Sequence, residues 1–518
     1  MLNRISDTLI RIMLGIFIAL LTLGVLLGTF GRLDSLSYAF ALFLAAGLFL
    51  LGLWLRPRFS CRLSSPRRPG VFLTGLMLAL FCFLLNLIWV LNFQIQPTVD
   101  FYTFYETACQ LAAGEHINWL YIGLFPHILG YSTFLSWFIK LFGPSPLVAP
   151  LVNVGLTTVS GICIYLLCLR WAGYRAAAFG FFFWSFCPSK LLYNSMVMSE
   201  PLYTCCILLF LLLLSLGCDE GFSLRVRCLL ALPLGALCGV LLLSINVVRP
   251  VAMILLIAFF LWLFLLRGKA MKDLKGWAML LLFTLALLFS YTKCSNQWRL
   301  WEYIHVYEPT SSIPAYNIYV GLNPDSMGSY SEEDMNLLWE YRYDEENGSA
   351  MYAQEQMLEE AKKRLTSGEI DFPKLFAAKL AKLLGNDEGG AFYAQSELSA
   401  GQFRFWSLAS NVYYYLLVFL ALIGAGSLFR RPPRATVYMA PLYSIGLILA
   451  HLIIEVSGRY KYSLIPMLII LACFSLNGLP TLKRPHKKTD CFEHAKQSVF
   501  YSSFSRSSST ARRSRREI

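Results

Sequence analysis

The chain has 518 residues, of which 57% are hydrophobic and only 14% charged, with a formal net charge of +13. A soluble domain of this length cannot hide so much apolar surface, so these numbers exclude a soluble globular protein and identify an integral membrane protein. The positive charge lies in short loops, which points to membrane topology and away from nucleic-acid binding.

Apolar runs near 9–30, 36–55, 71–93, 147–169, 176–193, 199–217, 228–247, 250–266, 277–292, 406–428, 436–455 and 463–480 each approach the length needed to cross a bilayer core of about 30 Å. This predicts an all-α polytopic membrane protein with about twelve transmembrane helices. The first run is longer than a signal-peptide core and lacks a small-residue cleavage site, so it reads as a retained helix. The loops "RPRFSCRLSSPRRPG", "RWAGYR", "DEGFSLRVR", "RGKAMKDLKG" and "RRPPR", and the tail that starts "KRPHKK", are basic. They are expected on the cytoplasmic side, as are both termini. The tail is Ser-rich, without apolar periodicity, and is expected to be disordered.

After the third run comes "QIQPTVDFYTFYETACQLAAG", which sets Asp100 a few residues past the hydrocarbon and follows it with Tyr102, Tyr105 and Glu106. The stretch 124–143, with His127 and Lys140, is expected to lie in the interface, because a crossing there would turn the basic loops at 170–175 and 219–227 outward. With that parity Asp100, Glu106, Glu200 of "MVMSEPLY", Arg249 of "NVVRP", and Glu455, Arg459, Tyr460 and Lys461 of "EVSGRYKYSLIP" share the outer side. The segment 294–405, rich in Asp and Glu, opens on the same side and is long enough for a small mixed lobe. Ionisable groups at the hydrocarbon edge usually have a partner or a task, though helix-end charges also serve as simple anchors, the reading favoured for Glu455 and Lys461. Most of the fourteen cysteines lie in apolar runs without ligand spacing, so neither a disulfide framework nor a zinc site is expected.

"VDFYTFYETACQLAAG", "FIKLFGPSPLVAPLVN", "MVMSEPLYT", "NVVRP", "AYNIYVGLNPDSMGSYSEED" and "SGRYKYSLIP" occur in an order that resembles bacterial GT-C glycosyltransferases. The branch is that of protein O-mannosyltransferases and lipid A aminoarabinose transferases, and the resemblance spans roughly residues 71 to 480. The chain departs from it by a single acid, Asp100, where many relatives show an acidic pair, and by an extra hairpin at 9–55. The resemblance implies a GT-C-like bundle with interfacial helices on the outer side. It also implies a plasma-membrane enzyme that moves a sugar, with inversion, from a polyprenyl-phosphate carrier to an extracytoplasmic protein, lipid or cell-envelope glycan.

On that reading the chain divides into an N-terminal transmembrane hairpin and basic loop (1–70), a catalytic membrane module (71–292, with the first outer loop at 94–146), an outer loop domain (293–405), the C-terminal transmembrane helices (406–480) and the basic tail (481–518). Asp100 is the candidate general base and Glu200 a second acid, while an N-cap role for Asp100 and a helix-dipole role for Glu200 stay open. Arg249 and Arg459 are candidates for the carrier phosphate. Lys140 is a weaker candidate because snorkelling explains it equally well, and Tyr102, Tyr105, Glu106 and Tyr460 complete the substrate-binding set. The lipid-linked donor, the acceptor and the bilayer are the expected partners; no metal ligands are assigned and metal dependence stays open. A glycan ligase or polymerase, or a secondary transporter of twelve helices, is the alternative; a transporter would place its ionisable residues near mid-membrane in broken helices.

Overall fold

The computed structural model describes residues 2–478 apart from 32–34, 61–67, 118–119, 219–223, 267–273, 307, 309, 312 and 431–435. Most of the basic loops fall wholly or partly outside the described residues, as does the whole tail 481–518. The chain is an all-helical, polytopic membrane protein.

Helices α1 (Leu2–Phe30), α2 (Ser35–Ser60) and α3 (Arg68–Asn92) follow the first three apolar runs. Two short helices, α4 (Asp100–Ala113) and α6 (His127–Phe142), flank the single turn α5 (Leu120–Leu124). At 14 and 16 residues, α4 and α6 rise only about 21 and 24 Å, too little to cross the hydrocarbon upright. They pack on each other through Phe104 and Tyr131, and the Ser132 hydroxyl donates to the Phe104 carbonyl at 2.9 Å.

Then come α7 (Val148–Trp171), α8 (Tyr174–Ser185), α9 (Pro188–Asn194), α10 (Glu200–Cys218), α11 (Leu224–Val248), α12 (Ala252–Leu261) and α13 (Leu274–His305). The segment between α13 and the next long apolar helix forms a lobe with α14 (Ala315–Gly321), α15 (Glu332–Arg342), α16 (Ala350–Thr366), α17 (Phe372–Leu384) and α18 (Gly389–Tyr393). The chain returns to apolar helices in α19 (Ala400–Arg430), α20 (Met439–Ile453), α21 (Leu464–Cys473) and α22 (Ser475–Gly478).

Among the described residues nine helices are long and apolar enough to span: α1, α2, α3, α7, α10, α11, α13, α19, and α20 with the turn that leads into it. The other three expected spans are shorter or broken. The run 176–193 stops at Ser185 and restarts at Pro188, which lacks an N–H and holds Cys187 in an extended conformation (ψ 113°). The run 250–266 is α12 followed by one wide turn, Trp262–Leu266. The run 463–480 is the ten-residue α21, all of it buried, followed by α22. Of these segments only α21 lies wholly inside the bundle; α8 and α12 bury one face and leave Phe182, Met253 and Ile257 exposed, so apolar composition does not guarantee an unbroken helix.

The lobe, expected to be mixed, is helical in its described residues; one isolated bridge pairs Ile117 with Val306. Two charged pairs pin it. Arg364 forks onto Asp334 with a 3.0 Å contact, and Asp334 also accepts from Asn323 at 2.9 Å. Arg342 meets Glu308 at 2.7 Å, and the other Glu308 oxygen accepts the Ala350 N–H that opens α16.

Candidate functional site

Asp100 is the first residue of α4, and the residue before it, Val99, sits at φ 49°. A β-branched residue in the left-handed region is strained, and such strain persists only where the surroundings over-determine it. Here it turns the chain so that the Asp100 carboxylate makes no cap bond to its own helix. Its Oδ2 accepts instead from Arg459 Nη2 at 2.7 Å, and its Oδ1 accepts from the Tyr121 hydroxyl at 3.5 Å. The N-cap alternative therefore does not describe this side chain.

Glu200 reaches the same place by a different device. Between α9 and α10 the chain runs non-helically through "SMVMS" inside the bundle, where unsatisfied backbone groups are costly. Asn153 Nδ2 donates to the Met196 carbonyl at 2.9 Å, while Thr157 donates to Asn194 Oδ1 at 2.9 Å and Asn194 to Asn86 Oδ1 at 2.7 Å. This network lets α10 begin at Glu200, whose side chain is only 2% exposed. Glu200 Oε1 lies 3.7 Å from Arg249 Nη2 and 3.9 Å from Arg459 Nε.

Two glycines bring the remaining parts together. A Cβ on Gly130 of α6 would lie 2.1 Å from the Val247 carbonyl oxygen, so only glycine lets the start of α6, with His127, approach the end of α11, with Arg249. A Cβ on Gly321 would lie 2.2 Å from the Ile453 carbonyl oxygen. That close approach docks α14 on the end of α20, and the next segment pairs with the lobe through Glu455 N–H to Asn317 O (2.8 Å) and Val456 N–H to Gly328 O (2.9 Å). The turn Gly458–Lys461 then carries Arg459 and Tyr460 into the cluster. Arg249 lies over the Tyr460 ring at 4.7 Å, His451 stacks on that ring at 5.0 Å, and Arg459 packs against Phe101 and Tyr393.

The electrostatics follow from this packing. Burial alone would raise the Asp100 carboxyl, but the charge and hydrogen bond of Arg459 outweigh it and hold the group below the usual carboxylate range. Burial and the nearby Arg249 push the His127 imidazole down to about 3, so this ring is neutral at physiological pH. Burial raises Glu455, against the pull of Arg459 and Arg249. Arg459 Nε has no hydrogen-bond partner, and the Arg249 guanidinium donates no hydrogen bond among the described residues.

Of the residues singled out from sequence, Asp100, Glu200, Arg249, Arg459 and Tyr460 converge. Glu455, read there as an anchor, lies within the field of the cluster. Tyr102 is 48% exposed and Tyr105 and Glu106 face away along α4, where their neighbour is Cys109. Lys140 lies some twenty ångströms along α6 from His127 and lines a separate groove. Sequence reasoning missed His127 as a site residue, along with Tyr121, Tyr393 and Asp387. Asp387 lies behind the Arg459 turn, where Ser189 donates to it at 2.5 Å and its own N–H donates to Asn411 at 2.8 Å. Burial pushes its carboxyl up to about 6, against the pull of the buried Lys461. The one available signal was the acidic pair inside the glycine-flanked "GNDEGG". No group of three His, Cys, Asp or Glu among the described residues has the spacing of a metal site.

No protein-family model matches the chain, and no curated protein matches it. Among solved structures, ArnT from Cupriavidus metallidurans bound to undecaprenyl phosphate is similar at 12% identity, over 80% of this chain and 78% of that one, with a TM-score of 0.31. The apo state of the same protein is similar at 12% identity, over 79% and 78%, with a TM-score of 0.29.

Proposed function

We propose that the chain is a plasma-membrane glycosyltransferase of the GT-C type that moves a sugar from a polyprenyl-phosphate carrier to a hydroxyl on an extracytoplasmic acceptor. The observation that carries this reading is the convergence of Asp100 and Glu200 with Arg249 and Arg459, all from the ends of apolar helices or the turns beside them. A site at that depth can take a ligand whose tail stays in the hydrocarbon while its anionic head enters the polar cluster.

The chemistry assigns each group a task. Asp100, ionised and oriented by Arg459, accepts the proton of the acceptor hydroxyl as that oxygen forms its bond to the anomeric carbon. The bond from that carbon to the phosphate oxygen breaks, its electron pair leaves with the phosphate, and configuration inverts. A phosphate leaving group needs no acid. It needs positive charge, for which Arg249 and the free Nε–H of Arg459 are available, with a guanidinium fork suited to two phosphate oxygens. Glu200 holds both arginines in place, and neutral His127 adds a hydrogen-bonding ring without further charge.

The test is transfer by the purified full-length protein in nanodiscs, with radiolabelled polyprenyl-phosphate hexoses and pentoses and a total envelope extract as acceptor. The parent should transfer label from at least one donor. Because Asp100 caps no helix, Asp100→Asn should fold and lose at least about 10²-fold in rate, the low end of what a positioned base supplies. Transfer by Asp100→Asn within about threefold of the parent would remove the base assignment. A parent inert toward every donor would remove the transferase reading.

A further inference from the structure

A groove of about 500 Å³ lies between α6 and the C-terminal end of α13, lined in part by Trp137, Lys140, Gln297, Trp298, Trp301 and His305, with Leu111 and Leu243. Leu111 is eleven residues along α4 from Asp100, about 16 Å away, so the groove is distinct from the acid–arginine cluster.

Helix α13 has 32 residues and rises about 48 Å, well beyond the roughly 30 Å of a bilayer core. Its apolar part runs from Gly276 to Tyr291, and "TKCSNQWRLWEYIH" continues the helix with polar residues. An upright helix needs about 20 residues to cross that core, so counted from Gly276 Trp298 lies at headgroup depth and Trp301 and His305 lie at or beyond its outer margin. The groove wall therefore runs from the headgroup layer, where tryptophans also serve as membrane anchors, to His305 outside it. It is also held firmly: Ile117 N–H donates to the His305 carbonyl at 2.9 Å, and Thr310 donates to Glu302 on the same helix.

The lining has the chemistry of sugar recognition. Trp298 stacks on Trp301 with 5.0 Å between centroids, and Trp301 stacks on His305 at 4.3 Å, so Trp298 keeps one ring face clear of this ladder. Trp137 is 67% exposed. Such faces suit the C–H surface of a pyranose ring. His305 Nδ1 donates to the Trp301 carbonyl at 2.8 Å, which leaves Nε2 available to a sugar hydroxyl. Gln297 is exposed and offers both a donor and an acceptor, and the Lys140 ammonium has no ion pair or hydrogen bond among the described residues. A site for anionic lipid heads gathers several cations; this lining has one, and no carboxylate.

We propose that this groove binds a saccharide and serves as the acceptor-side subsite; the acceptor label rests on the transferase reading above, and saccharide binding does not. The test measures binding with no donor present, on the full-length protein in nanodiscs free of glycoside detergent. Saturation-transfer NMR would use maltotriose, linear α-mannotriose and N,N′,N″-triacetylchitotriose, with glycerol 3-phosphate as the headgroup comparator. At least one trisaccharide should show saturable transfer, weakened about fivefold or more in both Trp298→Leu and the exposed-site variant Gln297→Ala, and unchanged in Asp100→Asn. Absence of transfer to all three trisaccharides, equal binding in the two groove variants, or a response confined to glycerol 3-phosphate would overturn the proposal. Binding by a parent that transfers no sugar would keep the groove and discard the transferase reading; transfer by a parent that binds none of the trisaccharides would do the reverse.

Discussion

The Asp100–Arg459 pair makes a prediction about pH that a purely structural role would not. Arg459 Nη2 is 2.7 Å from Asp100 Oδ2, with the arginine side chain 12% exposed and the aspartate 35%. Unit charges about 4 Å apart interact by about 4 kcal/mol at the effective dielectric typical of protein sites, and the exposure of Asp100 reduces this. Burial raises the Asp100 carboxyl, and the charge and hydrogen bond of Arg459 outweigh it and hold the group down. In Arg459→Gln that depression disappears while burial, which acts in the opposite direction, remains. A base must be ionised to act, so activity is lost as pH falls through its pKa. Raising that pKa moves the acidic limb of the kcat profile to higher pH. A loss of rate that persists on the plateau above that limb reports misplacement of Asp100 and not protonation. The assay is kcat at saturating donor from pH 3.5 to 8, on nanodisc-embedded parent and Arg459→Gln. An acidic limb at the same pH in both proteins, or one displaced downward, would refute the coupling.

Replacing Arg249 by Gln should raise the donor KM by about tenfold or more, the effect of losing a charge-assisted hydrogen bond, and leave the acceptor KM unchanged; equal changes in both would show that Arg249 does not bind the phosphate. Glu106→Gln and Tyr102→Phe should stay within about threefold of the parent in kcat/KM, since both side chains lie off the cluster, and a loss near 10²-fold in either would place α4 differently in the reaction. For orientation, cysteine introduced at the exposed positions Tyr330 and Glu345 in a cysteine-depleted background should react with an impermeant maleimide on intact cells. Labelling only after permeabilisation would put the lobe and the site on the cytoplasmic side.

The class of the molecule and the charged residues at the edges of its apolar runs were legible in the sequence for one reason: a charge at the edge of an apolar run is expensive enough to stand out. Asp100, Glu200, Arg249 and Arg459 were visible in this way, and the order of the segments around them was enough to suggest the chemistry. Glu106 carried the same signal but lies six residues from Asp100, off its face of the helix, and only the path of α4 shows which face the cluster occupies. Continuity of the helices was not legible either. The runs at 176–193 and 463–480 are both apolar, one half-buried and the other with its α21 enclosed, and hydropathy does not register that Pro188 restarts one helix or that the other ends after ten residues. His127 and Tyr121 gave no local signal, and Asp387 only its place in "GNDEGG", because their environments come from residues distant in the chain. Gly130 meeting the Val247 carbonyl, and Gly321 meeting that of Ile453, create the close approaches that set an imidazole beside Arg249 and direct Arg459 onto Asp100. Hydropathy and charge act on each segment separately and so can be read along the chain, whereas the partners of a buried polar group are fixed by which backbones can touch, and that is decided only when the bundle packs.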